Sequence, residues 1–159
     1  MLLTDIRFCT QDHLDQILAA DRTSLHPWPE RVISLDLVGG AGSLSYLGAF
    51  APMGDRLLGY AVLGEEKGNG LLMNLVVVPE YRRRGIGQQL VVSVAECAVE
   101  LGFPRLTLRV RYSNHAALRL YRSLGFRSDA TRESFYSNGD VAFFMSLKLP
   151  LVLKGDESR

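Results

Sequence analysis

LLMNLVVVPEYRRRGIGQQL, residues 71–90, holds a strand, a stop, three consecutive arginines and the head of a helix. Its first eight residues are a nearly unbroken apolar run of strand length closed by Pro79, the pattern of a central strand covered on both faces. Residues 87–101 lack proline and internal glycine and set Leu90, Val91, Val94, Ala95, Ala98 and Leu101 along one helical stripe, with Gly102 to stop it. Between strand and helix lie Arg82, Arg83, Arg84, Gly85, Ile86 and Gly87. Glycine lets backbone approach a ligand, a first helical turn presents unpaired N–H groups, and the positive end of the helix dipole favours an anion. The turn therefore suits a phosphate, although a basic surface turn with glycines for packing has the same spacing. A dinucleotide-binding turn needs a third glycine that is missing here, and the phosphate loop of nucleotide hydrolases needs Gly-Lys-Ser or Gly-Lys-Thr where this chain has Gly87-Gln88-Gln89.

Outward from this stretch, residues 5–9 alternate as a strand, and Thr10 or Asp12 caps a helix carrying Leu14, Ile17 and Leu18. HPWPE (26–30) breaks the chain before a short helix with Val32, Ile33, Leu35 and Leu37, ended by Gly39-Gly40. Residues 44–50 and 57–63 are β-rich around the turn Pro52-Met53-Gly54-Asp55, and a second turn is expected at Lys67-Gly68-Asn69-Gly70. RLTLRV (105–110) predicts a strand and HAALRLYRSLG (115–125) a helix, followed by two β-rich runs around Ser137-Asn138-Gly139-Asp140 and a mobile tail, KGDESR. The order β α α β β β α β α β β predicts a single α/β (α+β) domain over residues 1–149, built on one mixed, mostly antiparallel sheet. About six to seven strands and about four helices are expected.

The 159 residues, 47% hydrophobic and 22% charged, suit one folded domain. A net charge of +1 gives no field that would favour nucleic acid or an anionic membrane, so neither partner is expected. No apolar run approaches the roughly 18 residues of a membrane span, and the opening MLLTDIRF has charges too early for a signal peptide. Cys9 and Cys97 lack ligand spacing and read as buried reduced thiols, which fits a cytoplasmic protein. His13, His26 and His115 have no Cys, Asp or Glu arrangement of a metal site, so no metal is expected.

Arg82, Gly85 and Gly87 match the signature of the GNAT acetyltransferase superfamily: Arg or Gln, two residues, Gly, one residue, then Gly or Ala. Asn114, Ala117, Tyr121, Gly125 and Phe126 match a second block of that superfamily. HPWPE, MNLVVVPEYRRRGIG and FYSNGDVAFFMSL make the chain most similar to the RimI-type N-terminal acetyltransferases of ribosomal proteins, over roughly residues 5–149. The resemblance implies acetyl-CoA as cosubstrate and an amine acceptor, a protein or peptide N-terminus, in a monomer or homodimer. It implies that the backbone of Leu75, Val76 and Val77 splays from its neighbour to pair with the thioester and pantetheine arm. It also implies that backbone amides from Arg83, Arg84, Gly85, Ile86, Gly87 and Gln88 hold the pyrophosphate, beside Arg82, and that Asn114 bonds the cofactor arm. Tyr121 matches the general acid for the departing thiolate. Asn114 as a helix N-cap and Tyr121 as an aromatic packing residue are the plain structural alternatives.

Where the RimI-type enzymes carry a glutamate base, this sequence has Arg109, and an arginine stays protonated and cannot accept a proton. Glu65 and Glu66 are the nearest substitutes, acting through a water, or are merely solvated turn carboxylates. Trp28, Phe135 and Tyr136 stand where those enzymes recognise the acceptor, Phe135 replacing a tyrosine, with a core role the alternative for Trp28. A transferase for a small amine, or an acetyl-CoA sensor with impaired turnover, are the competing readings.

Overall fold

The computed structural model describes residues 1–39, 44–132, 139 and 141–153. Its elements are β1 (Asp5–Phe8), α1 (Leu14–Asp21), α2 (Glu30–Gly39), β2 (Ser45–Phe50), β3 (Leu57–Glu66), β4 (Asn69–Val77), α3 (Ile86–Glu100), β5 (Arg105–Arg111), α4 (His115–Ser123), β6 (Arg127–Arg132) and β7 (Ala142–Lys148). The strand and helix order is the one expected from the sequence. Gly40, Phe135, Tyr136, most of the turn at 137–140 and the tail at 154–159 lie outside the described residues.

The sheet has seven strands in the order β1-β2-β3-β4-β5-β7-β6, which makes β4 its middle strand. The pairs β1–β2, β2–β3, β5–β7 and β6–β7 are antiparallel. β4 and β5 run parallel in a register three residues long, Gly70↔Leu106, Leu71↔Thr107 and Leu72↔Leu108. The chain packs as two compact units, Met1–Glu65 with Met73–Val94, and Glu66–Leu72 with Ala95–Arg159.

In the first unit, Ile17, Ala20, Ile33, Tyr46, Phe50, Leu57, Tyr60, Val62 and Val76 form the core. Thr10 caps the helical turn ahead of α1: its side chain accepts from the Asp12 N–H, and the His13 ring accepts from the Thr10 N–H at 2.9 Å. The β2–β3 hairpin closes at the expected turn, with Met53 at φ 60° and the Ala51 N–H donating to the Arg56 carbonyl. Gly59 is required by close approach, because a Cβ there would lie 2.7 Å from the Val76 carbonyl oxygen. Burial pushes the Cys9 thiol up to about 12, so at pH 8 it should resist alkylation by iodoacetamide until the protein is unfolded.

In the second unit β5 alternates cleanly, with Leu106, Leu108 and Val110 buried between more exposed neighbours. Leu118, Leu124, Phe126, Met145 and Leu147 are buried in the same unit, and each side chain of this kind contributes about 1.5–3 kcal/mol by leaving water. Gly102 and Gly125 follow the ends of α3 and α4 in the left-handed conformation, at φ 86° and 101°.

β4 corrects two expectations. It starts at Asn69 instead of residue 71, because Gly70 is a strand residue whose missing side chain leaves room for Ala98, Phe103 and Leu106 at 3.3–3.4 Å. It is also not covered on both faces throughout, since Met73 is 39% exposed and Asn74, Leu75 and Val77 are only half-buried. Met73 packs where a side chain on Gly64 would be, while Asn74 reaches the Tyr60 hydroxyl. Gly64 and Tyr60 are four apart in β3 and face the same way, so strict alternation breaks between Met73 and Asn74.

Candidate active site

The turn between β4 and α3 has the shape of an anion cradle. A short 3-10 turn, Pro79–Tyr81, follows β4, and then Arg83 and Gly85 both take the left-handed conformation, at φ 63° and 81°. Such turns point successive backbone N–H groups to one side. The first helical bond at the head of α3 runs from the Gln89 N–H to the Gly85 carbonyl, so the N–H groups of Ile86, Gly87 and Gln88 are the open donors of this helix. Arg82, Arg83 and Arg84 are exposed here, while Ile86 is buried and anchors the helix. The Arg82 Nε donates to the Val77 carbonyl at 2.9 Å, which fastens the turn to the end of β4. The Arg84 guanidinium stacks 5.3 Å from the Tyr81 ring.

The turn is further held by Gln89. Its Oε1 accepts from the Thr4 N–H and hydroxyl at 2.9 and 2.8 Å, and its Nε2 donates to the Leu2 and Gly85 carbonyls at 2.6 and 3.1 Å. The Met1 side chain fills the space beside Gly85, where a Cβ would meet its Cγ at 2.9 Å.

Next to Leu75–Val77 lies a polar network that the sequence did not announce. Asp21, 2% exposed, accepts from the Tyr60 hydroxyl at 2.8 Å and from the Trp28 N–H at 2.8 Å. The Asn74 Nδ2 donates to the Tyr60 hydroxyl at 3.1 Å and to Asp21 Oδ1 at 3.4 Å. The Leu75 N–H donates to Asn74 Oδ1 at 3.0 Å. Burial, followed by the hydrogen bond to Asp21, pushes the Tyr60 phenol far above its ordinary range, so it stays a donor. Tyr60→Phe should therefore lower the unfolding free energy by about 1.5–3 kcal/mol, the usual worth of a hydrogen bond to a charged group, read from urea denaturation.

Asn114 and Tyr121 are seven residues, or two helical turns, apart, and so lie along one side of α4. Asn114 is the N-cap of that helix, its Oδ1 accepting from the Ala117 N–H at 3.2 Å, and it is exposed. Tyr121 is 7% exposed with its ring 5.6 Å from that of Phe126. Both structural alternatives are thus realised, and neither uses up the Asn114 Nδ2.

Arg109 does not face solvent alone. Its Nη2 donates to both carboxylate oxygens of Glu66, at 2.5 and 2.7 Å, and its guanidinium lies 5.0 Å from the Phe144 ring. Glu66 is accordingly no loose turn carboxylate, while among the described residues no bond of this kind ties down Glu65, which is exposed. Among the described residues no three His, Cys, Asp or Glu side chains gather as a metal site, and no helix is long and apolar enough to cross a membrane.

Three comparisons bear on this geometry. Residues 12–126 match the profile of the acetyltransferase (GNAT) family. The chain is 32% identical over 133 residues to the [ribosomal protein bS18]-alanine N-acetyltransferase of Salmonella typhimurium, covering 82% of this chain and 86% of the relative. The crystal structure of the ribosomal-protein-S18-alanine N-acetyltransferase from Escherichia coli superposes with a TM-score of 0.81 at 23% identity, covering 96% of this chain and 97% of that one. Arabidopsis thaliana NAA60 in complex with acetyl-CoA superposes with a TM-score of 0.78 at 20% identity, covering 91% and 98%. The fold is theirs, and by the extent of the profile match and the identity to the Salmonella relative this chain belongs to the acetyltransferase (GNAT) family.

Proposed function

We propose that the protein transfers the acetyl group of acetyl-CoA to the α-amine of a protein N-terminus. The observation that carries this reading is the head of α3, where open N–H groups follow two left-handed residues and three arginines. That donor set fits a diphosphate. The acceptor class is supported by the Salmonella relative, which is named a [ribosomal protein bS18]-alanine N-acetyltransferase.

In this reading backbone N–H groups from Arg83 to Gln88 bind the diphosphate, Arg82 steadies the turn, and Asn114 Nδ2 bonds the pantetheine arm. Leu75–Val77, beyond the short β4–β5 register, offers backbone groups to the arm and thioester. The neutral amine attacks the thioester carbonyl, and the Leu75 N–H stabilises the negative charge that develops on its oxygen. As the tetrahedral species collapses, the C–S bond breaks and the Tyr121 phenol gives its proton to the departing sulfur. The proton lost by the nitrogen goes to solvent: Arg109 cannot take it, Glu66 is held by Arg109 Nη2, and Glu65 is an exposed carboxylate.

An α-amine titrates near 7.7–8.0 and is partly neutral at pH 7, whereas a lysine at about 10.4 is not. Without a carboxylate base, kcat/KM for an α-amine acceptor should rise from pH 6.5 to 8.5 along the amine's own titration, with no inflection near pH 5–6. A pH profile in constant ionic strength checks this. Incubation with acetyl-CoA and a peptide panel, followed by thiol release and peptide mass, tests the function itself. Acetylation of free α-amines, with Nα-blocked lysine peptides left unchanged, is the expected result. Acetyl-CoA binding without thiol release would favour an acetyl-CoA sensor, and reaction only with small amines would move the acceptor class.

A further inference from the structure

The buried network beside Leu75 has a fixed direction. A carboxylate can only accept, so Asp21 must face the Asn74 amide nitrogen and the Tyr60 hydroxyl hydrogen. That leaves the Asn74 oxygen facing the Leu75 N–H, and the bonds run as one relay: Leu75 N–H to Asn74 Oδ1, Asn74 Nδ2 to Tyr60 Oη, Tyr60 Oη to Asp21. Bonds aligned in this way polarise one another, which makes the Asn74 oxygen a better acceptor. Asp21 also holds the Trp28 N–H, so the carboxylate is itself fixed by the segment that leads into α2.

We infer that Asn74 is a positioning residue that caps the Leu75 N–H and yields it to the acyl carbonyl during the reaction, a role that rests on the acetyl-transfer reading above. A half-buried N–H left bare loses a bond that solvent replaces only in part, and the cap keeps it satisfied within the strand at the point where alternation breaks. A ground-state thioester carbonyl gains little by replacing the Asn74 oxygen, because one neutral acceptor is exchanged for another. An oxyanion is a much stronger acceptor and displaces the carboxamide at a net gain. The cap thereby withholds the Leu75 N–H from the ground-state acyl group while leaving a net gain at the transition state, so it weakens acetyl-CoA binding without lowering kcat. Atoms balance without any group transfer to Asn74, which only exchanges a hydrogen bond.

The experiment is calorimetric titration of wild type and Asn74→Ala with free CoA and with acetyl-CoA, which differ by the acyl carbonyl. The ratio of Kd for CoA to Kd for acetyl-CoA should be about 3- to 10-fold larger in the variant, and KM for acetyl-CoA should fall without a rise in kcat. A merely structural role would weaken both ligands alike and leave the ratio unmoved, which would overturn the cap while leaving acetyl transfer standing. Failure of wild type to bind either ligand would overturn the acetyl-transfer reading and the cap with it. The wild-type protein supplies a check that survives a misfolded variant: the Asn74 carboxamide NMR signals should shift further on adding acetyl-CoA than CoA. Equal shifts with the two ligands would overturn the cap.

Discussion

Tyr121→Phe should lower kcat at least tenfold, about 1.4 kcal/mol of barrier, while acetyl-CoA affinity stays within about twofold. The substitution deletes one oxygen from a side chain that is 7% exposed and packed against Phe126. The ring and its contact with Phe126 remain. What is lost is the one phenol that the proposed mechanism assigns to the leaving sulfur. Thiol release under saturating substrates reads kcat, and calorimetry with acetyl-CoA reads affinity. Turnover unchanged from wild type would remove Tyr121 from the chemistry and leave it a packing residue.

Gly87→Glu should raise the Kd for acetyl-CoA at least tenfold and, at the same time, leave the protein as stable as wild type or slightly more so. Gly87 is the second residue of α3, and its N–H is among the open donors. Replacing glycine inside a helix contributes about 0.5–1 kcal/mol of stability, and a carboxylate in the first turn adds about 0.3–1 kcal/mol by facing the positive end of the dipole. The same carboxylate competes for the donors that a diphosphate would use and repels it. Opposite signs in thermal melting and in calorimetry are the signature. Affinity equal to wild type would mean that the diphosphate lies elsewhere.

Local patterning carried most of the architecture into the sequence. The helix from residue 86 to 100 was legible because its stripe is long and its stop, Gly102, adopts the one conformation glycine favours. The β2–β3 hairpin was legible from the turn residues Pro52 to Asp55, although Met53 and not Gly54 takes the positive φ. The left-handed glycine turn at the head of α3 was legible because its residues are consecutive. Relations across long separations were not. Asp21, Tyr60 and Asn74 are ordinary polar residues 14 to 53 positions apart, and only packing makes them one network. Asn69-Gly70 read as a turn because the pair is turn-forming in isolation, whereas the need to clear Ala98 and Phe103 makes the glycine a strand residue. Arg109 was visible as a departure from the RimI-type pattern, but its hold on Glu66, 43 residues away, was not.

The Arg109–Glu66 pair also governs how this chain could change. Arg109→Glu by itself would set two half-buried acids against each other where Arg109 Nη2 now bonds both oxygens of Glu66. Glu66 would have to lose its charge first, or in the same step, and losing it first would take from Arg109 the carboxylate that its Nη2 now bonds. A drift toward the glutamate of the RimI-type enzymes thus gives up the Arg109–Glu66 ion pair at whichever position changes first. The two positions should covary as a unit in sequences descended from this one, with mixed combinations selected against.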